Sequence, residues 1–256
     1  MSQAYARRPV CGRGADLLAV EEPLEIRVND RPLAVTMRTP GNELELALGF
    51  LYTEGIIAGP SDVVTARLCT DTPNVVEVRL TGPLDIEARN FYTTSSCGVC
   101  GKASIDSVRV HSHHLVQHDT TVVSRQTLAT LPGRLRKAQR GFERTGGSHG
   151  VGVFTPSGEL VLAREDVGRH NAMDKAVGAS FQRGQLPLSG RIALVSGRAS
   201  FELVQKAWVA GVSVIAAVSA PSTLAVDLAA EAGMTLIGFL RGDSMNVYTR
   251  PERITD

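Results

Sequence analysis

An α/β protein with a parallel sheet covered by helices, preceded by a smaller strand-rich unit, is the fold class this sequence predicts. Three observations carry it. In the last third, the apolar runs 192–196, 212–219 and 235–240 alternate with helical stretches at 200–210 and 222–232. That spacing suits strand–helix–strand crossovers. Gly211 and Gly233 stand where each helix should stop. Finally, Val195-Ser196-Gly197-Arg198-Ala199-Ser200-Phe201 is echoed by Val218-Ser219-Ala220-Pro221-Ser222-Thr223-Leu224, so two successive strand-to-helix turns share their chemistry.

The earlier elements follow in order. Residues 1–22 read as a polar, arginine-rich, mobile lead-in. Leu24–Val28 and Leu33–Met37 alternate apolar and polar around Asn29-Asp30 and predict a hairpin. From Asn42 to Glu54 the period lengthens: Leu44, Ala47, Leu48 and Leu51 share a helical face, with Asn42 to cap it and Gly55 to end it. Val63–Cys69 and Val75–Leu80 form another strand pair. Residues 23–90 are thus a strand-rich unit with one helix, and 91–256 a larger α/β domain. Within the latter, Leu128–Ala138 reads as a helix interrupted near Pro132-Gly133. Val151–Phe154 and Leu160–Arg164 frame Pro156-Ser157-Gly158 as a hairpin, and a helix spans Arg169–Phe181.

The 256 residues carry 27 basic and 26 acidic side chains, a formal charge of +1. This excludes a nucleic-acid coat or an acidic tail. No run of about 18 apolar residues suggests a membrane span, and the start lacks the apolar centre of a secretory signal. Four cysteines (Cys11, Cys69, Cys97, Cys100) are too few for a disulfide framework. A cytoplasmic setting is expected.

Chemistry concentrates in Thr93-Thr94-Ser95-Ser96-Cys97-Gly98-Val99-Cys100-Gly101-Lys102. The segment has little apolar surface to bury. Its lysine and backbone N–H groups suit a thiolate, the reactive form of cysteine. One reading is a sulfur carrier, with one thiol taking sulfur as a persulfide and the other assisting. A second is zinc, because Cys97-x2-Cys100 is followed after thirteen residues by His114-x3-His118. The linker between those pairs has few apolar anchors for a compact finger. A dithiol reductase is disfavoured by Gly98 and Gly101, which oppose a helix. A base deaminase is disfavoured because no histidine precedes Cys97. Cys11 and Cys69 read as inert.

Three turns, Ser196-Gly197-Arg198, Ser219-Ala220-Pro221-Ser222 and Arg241-Gly242-Asp243-Ser244, should gather beyond the strand C-termini. Helix N-termini there favour anions, so a phosphate or nucleotide site is expected. Thr145-Gly146-Gly147-Ser148-His149 reads equally as a cradle or a tight turn. The period from Arg169 to Lys175 puts His170 and Asp174 on one face, as a buried ion pair or a cleft wall. Arg134–Arg140 reads as a solvated face, or as a docking surface for an acidic partner.

Several of these blocks, together with residues 23–57, Glu165–Lys175, Ser196–Leu203, Gly238–Gly242 and Asn246–Thr249, resemble the formate dehydrogenase accessory sulfurtransferases over roughly residues 20–250. Gly150 departs from the pattern, where alanine is expected. The resemblance implies a cytidine-deaminase-like mixed sheet covered by helices, with the smaller N-terminal subdomain, in a homodimer. It implies that a cysteine desulfurase gives sulfur to Cys97 as a persulfide, with Cys100 as partner. The acceptor is the molybdenum (or tungsten) bis(molybdopterin guanine dinucleotide) that apo-formate dehydrogenase needs, the chain holding no permanent metal of its own. Phe239, Leu240, Arg241, Gly242, Asp243 and Ser244 are expected at the guanine nucleotide end of that cofactor.

Overall fold

The computed structural model describes residues 4–83, 112 and 114–256. Asn29 and Asp30 adopt φ of 50° and 65°, the left-handed pair that a tight hairpin requires. They join β3 (Glu22–Val28) to β4 (Arg31–Arg38). With β5 (Val63–Leu68) and β6 (Val75–Leu80) these form a four-stranded sheet in the order β4-β3-β6-β5. Helix α1 (Glu43–Thr53) packs on it; Asn42 sits at its start with φ 62° but caps nothing with its side chain.

A hairpin of β1 (Tyr5–Val10) and β2 (Gly14–Ala19) stands where the sequence reading puts a lead-in. Its strands are exposed on both faces over most of their length, so no apolar alternation announces them. Gly12 and Gly14, at φ 74° and 87°, make the reversal.

The larger sheet has the order β13-β12-β11-β10-β8-β9. Its centre, β10 (Ile192–Val195), β11 (Val214–Ala217) and β12 (Thr235–Arg241), is parallel, as expected. The sheet is mixed because β8 (His149–Phe154), β9 (Leu160–Asp166) and β13 (Ser244–Thr249) add antiparallel. Two short strands, β7 (Val123–Ser124) and β14 (Ile254–Thr255), pair separately.

The alternation of strand side chains feeds two cores. Ile192, Leu194, Val214, Ala216 and Ile237 pack with α2 (Arg125–Ala138) through Leu128, Leu131 and Leu135. Ala193, Val195, Ile215, Ala217 and Leu236 join a cluster with α4 (Arg169–Gln182), α5 (Phe201–Val209) and α6 (Thr223–Glu231). That cluster continues through α1 to Leu24, Ile26 and Val28 of the smaller sheet. Helix α2 is not interrupted: Pro132 lies within it, its apolar face being held by the sheet. The six-residue α3 (Arg140–Thr145) follows. Among the described residues no helix is long and apolar enough to cross a membrane.

The joint between the two units is the crossing of α1 and α4. A Cβ on Gly178 would lie 1.7 Å from the Glu45 carbonyl oxygen, and one on Gly49 would lie 1.8 Å from that of Asp174. Beside it, Lys175 Nζ meets Asp166 at 2.7 Å and donates to the Thr39 carbonyl at 2.8 Å, with both charged side chains buried. His170 and Asp174 pair not with each other but with α5, through Glu202 at 2.8 Å and Lys206 at 3.0 Å. Burial alone lowers the Lys206 ammonium, but Asp174 and Glu54 outweigh it and hold it above its ordinary range.

Two outcomes in urea unfolding follow. Gly178→Ala should cost more than about 3 kcal/mol, because backbone, not a flexible side chain, fills the space. Lys175→Met should cost about 3–5 kcal/mol by stranding the Asp166 carboxylate. A loss below about 1 kcal/mol in either contradicts the packing described.

Candidate functional site at the sheet edge

The three predicted turns form one connected edge. After β10 and β11, Ala199 and Pro221 make a parallel bridge. Ala199 N donates to the Ala220 carbonyl at 3.2 Å, and Ser222 N donates back to Ala199 at 3.0 Å. The echoed segments of the sequence thus lie against each other. The third turn attaches through Phe239 N, which donates to the Ser219 carbonyl at 3.1 Å, and Arg241 Nε, which donates to the Val218 carbonyl at 3.0 Å.

Of the six residues expected at this edge, Phe239, Arg241, Gly242, Asp243 and Ser244 are exposed. Leu240 is different: its side chain is fully buried in the α2-side core, which leaves only its backbone to the edge. Phe239 has φ 53°, a left-handed conformation that bulky residues rarely adopt. It lies in the irregular register between β12 and β13.

Helix α4 brings its N-terminus to the same place. His170 Nε2 lies 3.2 Å from Ser200 Oγ as well as 2.8 Å from Glu202, and this hydrogen bond holds the Glu202 carboxyl below its ordinary range. Neither Gly168 nor Ser200 caps its helix with a side chain. Three helix starts with Arg169, Arg198 and Arg241 beside them give the edge a positive field suited to an anion.

On the α2 side of this edge opens a cleft of about 480 Å³. Pro132, Arg136, Gln139, Phe142, Gly146, Gly147, Ser148, His149, Ser196 and Val218 line it. The Thr145–His149 segment proves to be both a tight turn and a cleft wall. Thr145 Oγ1 accepts from Gly147 N at 3.1 Å, and Gly146 ends α3 at φ 65°. Glu165 fixes the wall by accepting from Gly141 N, Phe142 N and Ser148 Oγ, each at 2.8 Å. Arg136 lies over the Phe142 ring, 4.0 Å from its centroid. Burial, with Arg169 and His170 nearby, pushes His149 below its ordinary value of 6.5, so its imidazole is neutral at pH 7.

The sequence reading misses Gln139, Phe142 and Glu165. For Gln139 a signal existed: it continues the series Leu128, Leu131, Leu135 at helical spacing, a polar residue at an apolar position. It is buried while its neighbours Lys137 and Arg140 are exposed, as the solvated-face reading has it. Cys97 and Cys100 lie outside the described residues. Of the alternative zinc ligands, His114 has its Nε2 2.9 Å from the Tyr52 hydroxyl, and His118 ends a short 3-10 turn, Val116–His118. Among the described residues no group of three or more histidine, cysteine or acidic side chains is arranged to hold a metal. The two other cysteines are free, Cys11 exposed and Cys69 partly buried.

Comparison with known proteins places the chain in a family. The model of the FdhD/NarQ family matches residues 19–255. A sulfur carrier protein FdhD of Streptomyces avermitilis is 56% identical over 253 residues, covering 93% of this chain and 89% of that protein. One from Mycobacterium tuberculosis is 51% identical over 276 residues and covers 100% of both chains. One from the archaeon Sulfolobus acidocaldarius is 47% identical over 239 residues, covering 93% and 91%. In fold, the chain is similar to the crystal structure of a protein from Desulfotalea psychrophila named as a formate dehydrogenase accessory protein. The TM-score is 0.75 at 23% identity, with 98% and 97% of the two chains covered. This chain therefore belongs to the FdhD/NarQ family.

Proposed function

We propose that this chain is a cytoplasmic sulfur carrier, acting as a homodimer, that serves formate dehydrogenase by sulfurating its bis(molybdopterin guanine dinucleotide) cofactor. Membership of a family whose relatives are named sulfur carrier proteins, at 47–56% identity, is the observation that carries this reading. The Cys97–Cys100 segment supplies the chemistry.

In the first step the Cys97 thiolate attacks the outer sulfur of a persulfide on a cysteine desulfurase. That sulfur–sulfur bond breaks, the desulfurase cysteine leaves as a thiolate, and Cys97 holds the sulfur as its own persulfide. In the second, the Cys100 thiolate attacks Cys97 Sγ and the outer sulfur leaves as sulfide toward the metal. The two electrons come from the cysteine pair, which ends as a disulfide and is reset by a thiol reductant. The metal-bearing cofactor is the substrate in this scheme. Its guanine nucleotide end is assigned to the edge at Phe239–Ser244. There the Arg241 side chain is anchored to Val218 through Nε, and its remaining N–H groups suit a phosphate. The anion-favouring helix starts support that assignment. The cytidine-deaminase-like architecture of the larger domain belongs to the same reading.

Intact-protein mass after incubation with a cysteine desulfurase and cysteine tests the carrier step. The wild type should gain the mass of one sulfur atom and Cys97→Ala should not. No gain in the wild type, or an undiminished gain in Cys97→Ala, overturns the reading. For the nucleotide end, calorimetric titration with GDP should show Arg241→Ala binding about tenfold more weakly than wild type, the loss expected for a charge-assisted contact. Unchanged affinity removes Arg241 from the site.

A further inference from the structure

The cleft below α2 contains a polar group with no task in the fold. Gln139 is 3% exposed, and its Nε2 is buried without a hydrogen-bond partner. Ser148 and Ser196, which also line the cleft, already hold one: Ser148 donates to Glu165, and Ser196 accepts from Gly150 N at 2.8 Å. Leaving a buried amide donor unpaired costs stability, so its position calls for a reason outside the folded chain.

Gly150 makes that position possible. A Cβ on it would lie 2.6 Å from both Cδ and Nε2 of Gln139. With no side chain on this glycine, the amide occupies the space that a methyl would fill. Gln139 and Gly150 thus pack together in the cleft floor.

We propose that the cleft is a subsite for a flat, uncharged heteroaromatic ring, and that Gln139 is the specificity-determining residue donating to an acceptor on its edge. The chemistry selects this class in three ways. The unpaired atom is an N–H donor, so it needs an acceptor. The walls near it, Pro132, Phe142 and Val218, are apolar and suit a ring face. The amide and the neutral His149 supply no charge for a buried phosphate, and the guanidinium in the lining, Arg136, is laid over the Phe142 ring. A volume of about 480 Å³ accommodates a fused bicycle. Fused aminopyrimidinone rings carry such an acceptor edge, and both the pterin and the guanine of the proposed cofactor are of this kind. In naming a ligand the inference rests on the reading in the preceding subsection.

The test uses the full chain and two probes, free pterin followed by its own fluorescence and GDP followed by calorimetry. Gln139→Leu should weaken one of them by about tenfold or more and leave the other unchanged. The probe that loses affinity identifies which ring occupies the cleft. Gly150→Ala, which displaces the amide, should weaken the same probe. Gln139→Leu should melt no lower than wild type, because it deletes an unsatisfied polar atom. Unchanged affinity for both probes in Gln139→Leu overturns the proposal. So does an equal loss for both, which marks a general disturbance. Sulfur uptake by Cys97 needs no ring in the cleft, so a normal mass gain in Gln139→Leu separates failure of this proposal from failure of the carrier reading.

Discussion

Where α1 crosses α4, each helix backbone fills the volume of the side chain the other lacks, with Glu45 against Gly178 and Asp174 against Gly49. Helices so near leave little freedom to slide, because the contact is between rigid main chains rather than adaptable side chains. The position of α4 then determines much else. Its first turn delivers Arg169 and His170 to the sheet edge. Its second carries Lys175 to Asp166 at the end of β9, and Asp174 to Lys206 on α5. Buried pairs of this kind offset their desolvation only when well partnered. Asp166 also accepts from Thr39 N at 3.1 Å and Gly168 N at 2.9 Å, and Asp174 accepts from Thr53 Oγ1 at 2.7 Å. Thr39 and Thr53 belong to the N-terminal unit, so the same groups that satisfy the charges fasten the two sheets together.

Much of this architecture is legible in the sequence wherever a local rule coincides with the global fold. Asn29-Asp30, Gly211 and Gly233 adopt the left-handed backbone that their residue types advertise. The buried strands of the parallel centre announce themselves as apolar runs because both faces are covered. The failures have physical causes too. The β1–β2 hairpin lacks alternation since neither face meets a core. Pro132 reads as an interruption, yet α2 continues because Leu128, Leu131 and Leu135 are all buried against the sheet. The resemblance puts Leu240 at the ligand edge, and strand alternation turns its side chain inward and leaves its backbone there.

The site divides in the same way. The three turns at the strand ends were readable because strand–helix turns gather at one edge by topology. Gln139 was marked only as a polar residue at an apolar helical position, because its meaning depends on Gly150, eleven positions away in another element. Glu165, likewise, is an ordinary carboxylate until the fold sets it under the start of α3. Of the two readings of His170 and Asp174, the mutual ion pair does not form, since each pairs with α5 instead. Helical spacing identifies neighbours along α4 and says nothing about the i, i+4 pair, Glu202 and Lys206, that α5 presents across the gap.

Some local costs fall at this margin of the molecule. Phe239 holds a left-handed backbone, and Gln139 and Arg169 each bury a nitrogen with no partner. A fold selected only for stability removes such features, since each lowers the unfolding free energy without improving packing. Loose structure does not explain them here, for the edge is cross-linked by the Ala199–Pro221 bridge and the backbone bonds of Ser219. Val218 connects the two halves of the margin. Its carbonyl anchors Arg241 on the anion-favouring side, and the residue also lines the cleft. A ligand with an anionic part and a flat ring meets both halves across a single residue, and the rigid edge holds them in register before it arrives.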